Sequence, residues 1–477
     1  MATAQRPSLE ERRSAAATRL GTFGQQHLLH FWDRLTDAAR SGLLDEIDAL
    51  PLEMLQRAFA DGSPRSKPDA PSIAPVTPVV MAQADSERLR SEGIAVIAAH
   101  RVAAFTVAGG QGTRLGSDAP KGTFPATPIL RKSLFEVFAE SIGAARARWS
   151  ARIPWLIMTS PLNHAETSRF FAAHDWFGLG QESVHLMVQG TLPSLDRAGR
   201  ILLANESSIA LNPDGHGGAL RALDQSGWLD RLSHEGIDTL SYFQVDNPLC
   251  KPIDPLFIGL HHAHPDSSAE VSSKVVAKTS PAEKVGVFCQ RGESRFVMEY
   301  SDMPREMTEA RDAAGALLHH AGSIAVHVFG VPFLQRLARE GHGLPLHRAL
   351  KKVSCIDPQT GLPIVPTEPN AIKLESFIFD TVPAARRALV AQTTRVEEFA
   401  PIKNAVGDDS PATSNALQSE RAAQWLERCG VRVARNPTTG QCLAEIELSP
   451  RTALDAAALA RCATLPAEVG AGERLAF

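Results

Sequence analysis

The stretch TVAGGQGTRLGSDAPKG, Thr106 to Gly122, places Gly109, Gly110 and Gly112 directly after an uncharged run and follows them with two cations, Arg114 and Lys121. Glycines let backbone N–H groups converge on one point as a nest for an anion, and the two cations lie where a triphosphate would need them. The same residues also suit a tight turn with two solvated charges. Two familiar phosphate loops fit badly. A dinucleotide fingerprint wants a third glycine where Leu115 stands, and a P-loop wants Gly-Lys-Ser/Thr, whereas Lys121 follows Pro120 and precedes Gly122. The pattern that remains is G-G-x-G-T-R-L-x(4)-P-K.

Three further segments carry candidate chemistry. In FQVDNPL, Asp246 ends an apolar run, and a carboxylate at the C-terminal edge of a parallel strand is well placed to hold Mg²⁺. Asp-Asn-Pro is equally ordinary turn chemistry. Gln189 in VQGTLPS offers a planar amide that both donates and accepts, which suits the edge of a uracil; an exposed strand-end glutamine is the plain alternative. NPDGHGG is a turn by composition, but Gly215, Gly217 and Gly218 also let a ligand approach the backbone closely, and His216 sits among them.

These residues need elements to hold them. From about residue 95 to 400, short apolar runs alternate with longer amphipathic segments: AAFTVAG, SLFEVFAESIGAARARW, IPWLIMTS, NHAETSRFFAAHD. That alternation predicts an α/β domain with a mostly parallel, helix-covered sheet. Residues 8 to 60 read as helical, with Leu28, Phe31, Trp32 and Leu35 at helical spacing and Leu44 and Ile47 continuing after Ser41-Gly42. The proline- and serine-rich stretch from Asp61 to Pro78 reads as a linker. After Ala400 the composition shifts to a loop, one helix and a β-like tail around QCLAEIEL. The expected organisation is a helical N-terminal lobe with linker at 1–78, a catalytic domain at 79–404 and a small C-terminal lobe at 405–477.

Composition bounds the function. The chain has 477 residues, a net charge of -4 on nearly balanced totals, and no long Lys/Arg block, which argues against a nucleic-acid or anionic-membrane surface. No apolar run approaches the roughly 20 residues of a membrane span. The N-terminus lacks the apolar region of a secretory signal and carries acidic residues. Six scattered cysteines without metal-ligand spacing read as reduced thiols, mostly buried, and point to the cytoplasm. The oligomeric state is left open.

The glycine-loop string resembles the signature of nucleotidyltransferases that join a sugar 1-phosphate to a nucleoside triphosphate, most closely the UDP-N-acetylhexosamine pyrophosphorylase and UDP-sugar pyrophosphorylase family of uridylyltransferases. The resemblance continues in order through GQQHLLHFW, VQGTLPSLD, NPDGHGGALRAL, YFQVDNPL, KVVAKTSPAEKVGV, VMEYSDMP, HHAGSIAVH, EPNAIKLESFIFD and EEFAPIKNA, covering roughly residues 24 to 415.

The family implies a Rossmann-like, GT-A-like nucleotidyltransferase fold, and Mg²⁺-dependent, reversible formation of a UDP-sugar and pyrophosphate from UTP and a sugar 1-phosphate. It implies that Arg114, Lys121 and Lys403 are catalytic cations. UTP would be held by Ala108, Gly109, Gly110, Gln111, Lys121, Gln189, Gly215, Asp246 and Lys373, with Asp246 also binding the metal. The sugar would meet His216, Gly217, Glu299, Tyr300 and Ser323. The acetylhexosamine enzymes usually carry asparagine where this chain has His216 and Ser323, and UDP-glucose and broad UDP-sugar pyrophosphorylases carry histidine at the first. The alternative is therefore a UDP-glucose or broad-specificity enzyme. A non-catalytic nucleotide-sugar binder would have lost cations or the metal ligand, and a dehydrogenase is disfavoured by the glycine spacing.

Overall fold

The structure, a computed structural model, describes residues 7–60, 73–83, 85–341, 344–462 and 464–477. They fall into two units. One gathers the described residues of Met1–Lys67, Gly190–Gly218 and Leu344–Ile378; the other gathers those of Pro68–Gln189, Ala219–Gly343 and Phe379–Phe477.

The first unit starts with helices α1 (Leu9–Thr22), α2 (Asp37–Asp48) and α3 (Leu52–Ala60). Ser8 and Glu11 close a reciprocal capping box on α1, and the Thr36 hydroxyl caps α2, so orphan amides at both helix starts are satisfied. The segment between α1 and α2 is not the continuous helix that the spacing of Leu28, Phe31, Trp32 and Leu35 predicts. It forms two short 3₁₀ turns, Gln26–Leu29 and Trp32–Arg34, after Gly24 takes a left-handed φ of 68°. Side-chain bonds replace the missing helix ladder, as the Gln25 amide donates to Gly199 O at 3.1 Å and accepts from Ile201 N at 2.9 Å. Residues 190–218 and 344–378 lie inside the span expected as one catalytic domain but group with these helices. Leu192, Leu195, Ile201, Leu203, Ile356 and Leu374 share one buried core with Leu20, Leu28, Phe31, Trp32, Leu43 and Leu44.

The stretch read as a linker lies outside the described residues as far as residue 72. From Ile73, which is buried, the chain belongs to the second unit. That unit is built on a sheet whose main path has eight strands: β1 (Val79–Val80), β2 (Val102–Val107), β3 (Trp155–Thr159), β4 (Val184–Val188), β5 (Thr239–Gln244), β6 (Val271–Ala277), β9 (Ala321–Gly330) and β10 (Leu389–Gln392), with β7 (Val287–Arg291) and β8 (Ser294–Met298) forming a hairpin that joins β9. The order is β1-β10-β6-β9-β5-β2-β3-β4. Five neighbouring pairs are parallel, and both antiparallel pairs involve β9. The expected mostly parallel α/β sheet is thus present. Its central strands VAAFTV and WLIMT are almost wholly buried, the pattern of strands covered on both faces.

Helices α4 (Ser86–Ala98), α5 (Leu134–Trp149), α6 (His164–Ala173) and α7 (Pro255–Ala263) supply Leu89, Phe135, Phe138, Phe171 and Phe257 to the core that covers the sheet. Beyond Ala400, helix α8 (Pro411–Arg428) packs Ala422, Ala423, Trp425 and Leu426 into a separate small core with Ile446, Leu459 and Val469, and the β-like tail contains strand β11 (Glu445–Glu447). Among the described residues no helix is long and apolar enough to cross a membrane.

Candidate active site

In the second unit the site forms at the C-terminal ends of the adjacent parallel strands β2 and β5, where Gln244 pairs with Val107 and Val245 N donates to Val107 O at 3.1 Å. The glycine loop leaves β2 at Ala108 and folds back on itself. Gly112 N donates to Ala119 O at 2.9 Å, Gln111 bridges Pro120, and Lys121 N donates to Gly110 O at 3.1 Å. The return strand delivers Lys121 to the end of β5. Its Nζ lies 3.4 Å from Oδ2 of Asp246.

Asp246 lies in a turn and faces the Lys121 ammonium. Burial pushes its carboxyl pKa up, but the ammonium groups of Lys121 and Lys403 and the hydrogen bond from Lys121 outweigh burial and hold it below the ordinary carboxylate range. An ionised, partly buried carboxylate is thereby maintained at the strand end. Lys403 arrives through the main chain: Ile402 N donates to Asp246 O at 2.8 Å, while the Lys403 ammonium itself pairs with Asp409 at 3.2 Å.

Gln189 lies beside Gly109. A Cβ on Gly109 would lie 2.2 Å from Gln189 Oε1, so a larger residue there would force the Gln189 amide to move. The loop's shape depends on Asn163, which the sequence reading passed over. This buried side chain donates to Ala108 O at 2.9 Å and Gly110 O at 3.2 Å, and accepts from Ser160 N at 2.8 Å. An asparagine following a strand end was the only signal available.

Ser323 and Glu299 converge on Gly286. Ser323 N donates to Gly286 O at 2.8 Å, and a Cβ on Gly286 would lie 3.3 Å from Glu299 Oε1. Gly286 was not among the expected site residues. Tyr300 is exposed. Arg114 is exposed on the 3₁₀ turn Thr113–Leu115 and makes no hydrogen bond or ion pair with a described residue, so the structure does not join it to the Lys121–Asp246 pair.

The first unit holds the remaining candidates. Gly215 has φ 84°, and the NPDGHGG turn is fastened to the strand Ala371–Glu375 and its continuation: Ser376 N donates to Asp214 O at 2.8 Å and Gly217 N donates to Ser376 O at 2.8 Å. A Cβ on Gly217 would lie 2.6 Å from Phe377 N. The His216 ring stacks on Phe377 at 5.1 Å and its Nδ1 accepts from Ile378 N at 3.2 Å. Burial, reinforced by His347, pushes His216 down to about 4. The ring is neutral near pH 7, and with Nδ1 accepting, Nε2 carries the proton as a donor. Lys373 lies on the same strand opposite Ala349; burial lowers its pKa, Glu375 opposes this and Lys351 adds to it.

The sequence profile of the family described as UTP–glucose-1-phosphate uridylyltransferase matches residues 52–423. The chain is 35% identical over 436 residues to the human UDP-N-acetylhexosamine pyrophosphorylase-like protein 1, covering 87% of this chain and 85% of that protein. It is likewise 35% identical over 435 residues to the UDP-N-acetylglucosamine pyrophosphorylase of Saccharomyces cerevisiae, covering 86% and 90%. Among solved structures, the Trypanosoma brucei uridine diphosphate N-acetylglucosamine pyrophosphorylase in complex with inhibitor superimposes with a TM-score of 0.79 at 27% identity, covering 96% of this chain and 95% of that one. These matches over most of the chain lead to one assignment: the chain belongs to the UTP:sugar-1-phosphate uridylyltransferase family, the UDP-sugar pyrophosphorylases.

Proposed function

We propose that the protein catalyses reversible uridylyl transfer from UTP to a sugar 1-phosphate, giving a UDP-sugar and pyrophosphate. The observation that carries this reading is the Lys121–Asp246 pair at the strand ends, with Lys403 contributing charge to the same carboxylate. An oxygen of the sugar phosphate attacks the α-phosphorus in line; the new P–O bond forms as the bond from the α-phosphorus to the oxygen bridging it to the β-phosphorus breaks, and pyrophosphate leaves with that electron pair. The nucleophile is already ionised, so positioning and charge neutralisation matter more than general-base chemistry.

In this reading the amides of Ala108 to Gln111 hold the triphosphate, the Gln189 amide reads the uracil edge, and Arg114, Lys121, Lys373 and Lys403 neutralise phosphate charge. Gly215 lets the nucleotide approach the backbone, Gly217 and Tyr300 line the sugar, and the Glu299 carboxylate accepts from sugar hydroxyls. Mg²⁺ would be held by Asp246, whose ionised carboxylate is a hard oxygen donor. Held by Asp246, the cation would supply positive charge to neutralise the triphosphate. The six cysteines are free thiols, three of them buried, which supports a cytoplasmic enzyme.

The second reading concerns the sugar. By the family resemblance, His216 and Ser323 stand where the acetylhexosamine enzymes usually carry asparagine, which favours a UDP-glucose or broad UDP-sugar pyrophosphorylase, whereas the Saccharomyces cerevisiae relative is named a UDP-N-acetylglucosamine pyrophosphorylase. Incubation with UTP, Mg²⁺ and the 1-phosphates of glucose, galactose, N-acetylglucosamine and N-acetylgalactosamine, with pyrophosphate measured, tests both. No pyrophosphate from any of them sinks the reaction; the ranking decides the sugar.

A further inference from the structure

We propose, resting on the uridylyl-transfer reading, that Asn247 is a positioning residue that holds the Lys403 segment against Asp246. Asn247 follows Asp246 in FQVDNPL and is 3% exposed. Its side-chain amide joins two separate stretches of chain: Nδ2 donates to Glu398 O at 2.6 Å and Oδ1 accepts from Ala400 N at 3.0 Å. A residue serving only its own turn would bond within it, as the longer contact from Leu249 N at 3.3 Å does. The bond from Ile402 N to Asp246 O at 2.8 Å completes the seam, one residue before Lys403.

The far side of the seam is itself anchored. The Glu398 carboxylate is buried, accepts from Thr393 Oγ1 at 3.0 Å and pairs with the fully buried ammonium of Lys274, which also meets Asp254 at 2.6 Å. Ser414 Oγ, on α8, donates to Ala400 O at 2.7 Å. The segment 398–402 is therefore held from three sides, and Asn247, the residue next to Asp246, is one of those sides. Lysine has a long, flexible stem, so backbone placement decides where its ammonium can reach. Asn247 makes no hydrogen bond to the Lys403 ammonium and acts through the main chain.

The test uses the full chain with Asn247→Ala and Asn247→Asp, each alone and combined with Lys403→Ala, reading kcat, KM for UTP and amide hydrogen exchange over residues 399–404. Misplacement by about 1 Å costs about 10²-fold, so Asn247→Ala should lower kcat by about that factor with KM for UTP nearly unchanged. Asn247→Asp keeps the acceptor for Ala400 N–H and loses the donor to Glu398 O, so its loss should be smaller. Added to Lys403→Ala, Asn247→Ala should cost about twofold or less, because residues acting as a unit are not additive. Exchange at Ile402 should quicken while β2 stays protected. Full additivity with Lys403→Ala, or unchanged exchange at Ile402, overturns the proposal. Should Asn247→Ala not fold, Asn247→Asp carries the same comparison. If the wild type shows no turnover, the reaction proposed above fails, and the exchange arm alone decides the positioning role.

Discussion

Nζ of Lys121 stands 3.4 Å from Oδ2 of Asp246, with side-chain exposures of 16% and 15%. Each charge offsets part of the cost of burying the other, and together they present one cation and one anion at adjacent strand ends. Lys121→Ala should lower turnover by about 10²–10³-fold, the usual loss for one preorganised electrostatic contact. Pyrophosphate release at saturating UTP checks this; near-normal turnover removes Lys121 from the catalytic set.

Asp246→Asn keeps the shape and removes the charge. Mg²⁺ dependence should shift to higher concentration, or activity should vanish, because a neutral amide is a poor ligand for a hard cation. Magnesium titration of the variant reads this directly, and an unchanged curve would assign Asp246 to turn geometry alone.

Much of this site was legible in the sequence because its strongest signals are local. The uncharged run before Gly109 becomes β2, the glycines fold the loop back, and Asp246 follows the end of β5 by two residues. The residues that escaped, Asn163, Asn247 and Gly286, work through partners distant in sequence, and a lone asparagine or glycine carries no period or spacing to reveal such bonds. The helical pattern at Leu28 to Leu35 misled for a related reason. Burial of those side chains is real, but Gly24 and the Gln25 bonds to residues 199 and 201 replace helix with 3₁₀ turns.

Lys274→Met should cost about 3–5 kcal/mol, because removing the ammonium leaves the Asp254 and Glu398 carboxylates buried without it. For Asp254, burial raises the pKa but Lys274 and Lys251 outweigh it, and the net shift is downward. A depressed carboxylate stabilises the fold above its unfolded pKa and loses that contribution as pH falls through the folded one. Wild-type stability should therefore decline below pH about 4, and the gap between wild type and Lys274→Met should narrow there. Urea midpoints at pH 7 and pH 3.5 measure both; a constant gap would mean that the triad contributes nothing pH-dependent.

His216 titrates at about 4 in the fold against an ordinary 6.5, chiefly because it is buried. Below pH 6.5 the unfolded chain takes up a proton that the folded ring refuses, so stability falls as pH drops from 6.5 to about 4 and levels off below. The difference is worth on the order of 3 kcal/mol. His216→Asn removes this slope, and its urea midpoint should gain on the wild type across that window. Parallel curves would show that the ring is not held neutral.

His216→Asn and Ser323→Asn, made singly and combined, should move preference toward N-acetylhexosamine 1-phosphates if these positions read the substituent on the sugar's second carbon. An asparagine amide can donate to the acetyl carbonyl and accept from its N–H. His216 cannot do both: with Nδ1 taken by Ile378 N, its neutral ring has no second acceptor. Ser323 has a shorter reach, and its hydroxyl already accepts from Ala325 N at 3.4 Å. A buried polar group left without its partner costs about 1–3 kcal/mol, enough for a tenfold or larger change in preference. The wild type should accordingly favour an unacetylated hexose 1-phosphate or accept both kinds. Ratios of kcat/KM for glucose 1-phosphate and N-acetylglucosamine 1-phosphate across the four proteins decide it. A wild type that strongly prefers the acetylated sugar, with a combined variant that changes nothing, would place sugar selection on other residues while leaving the uridylyl transfer untouched.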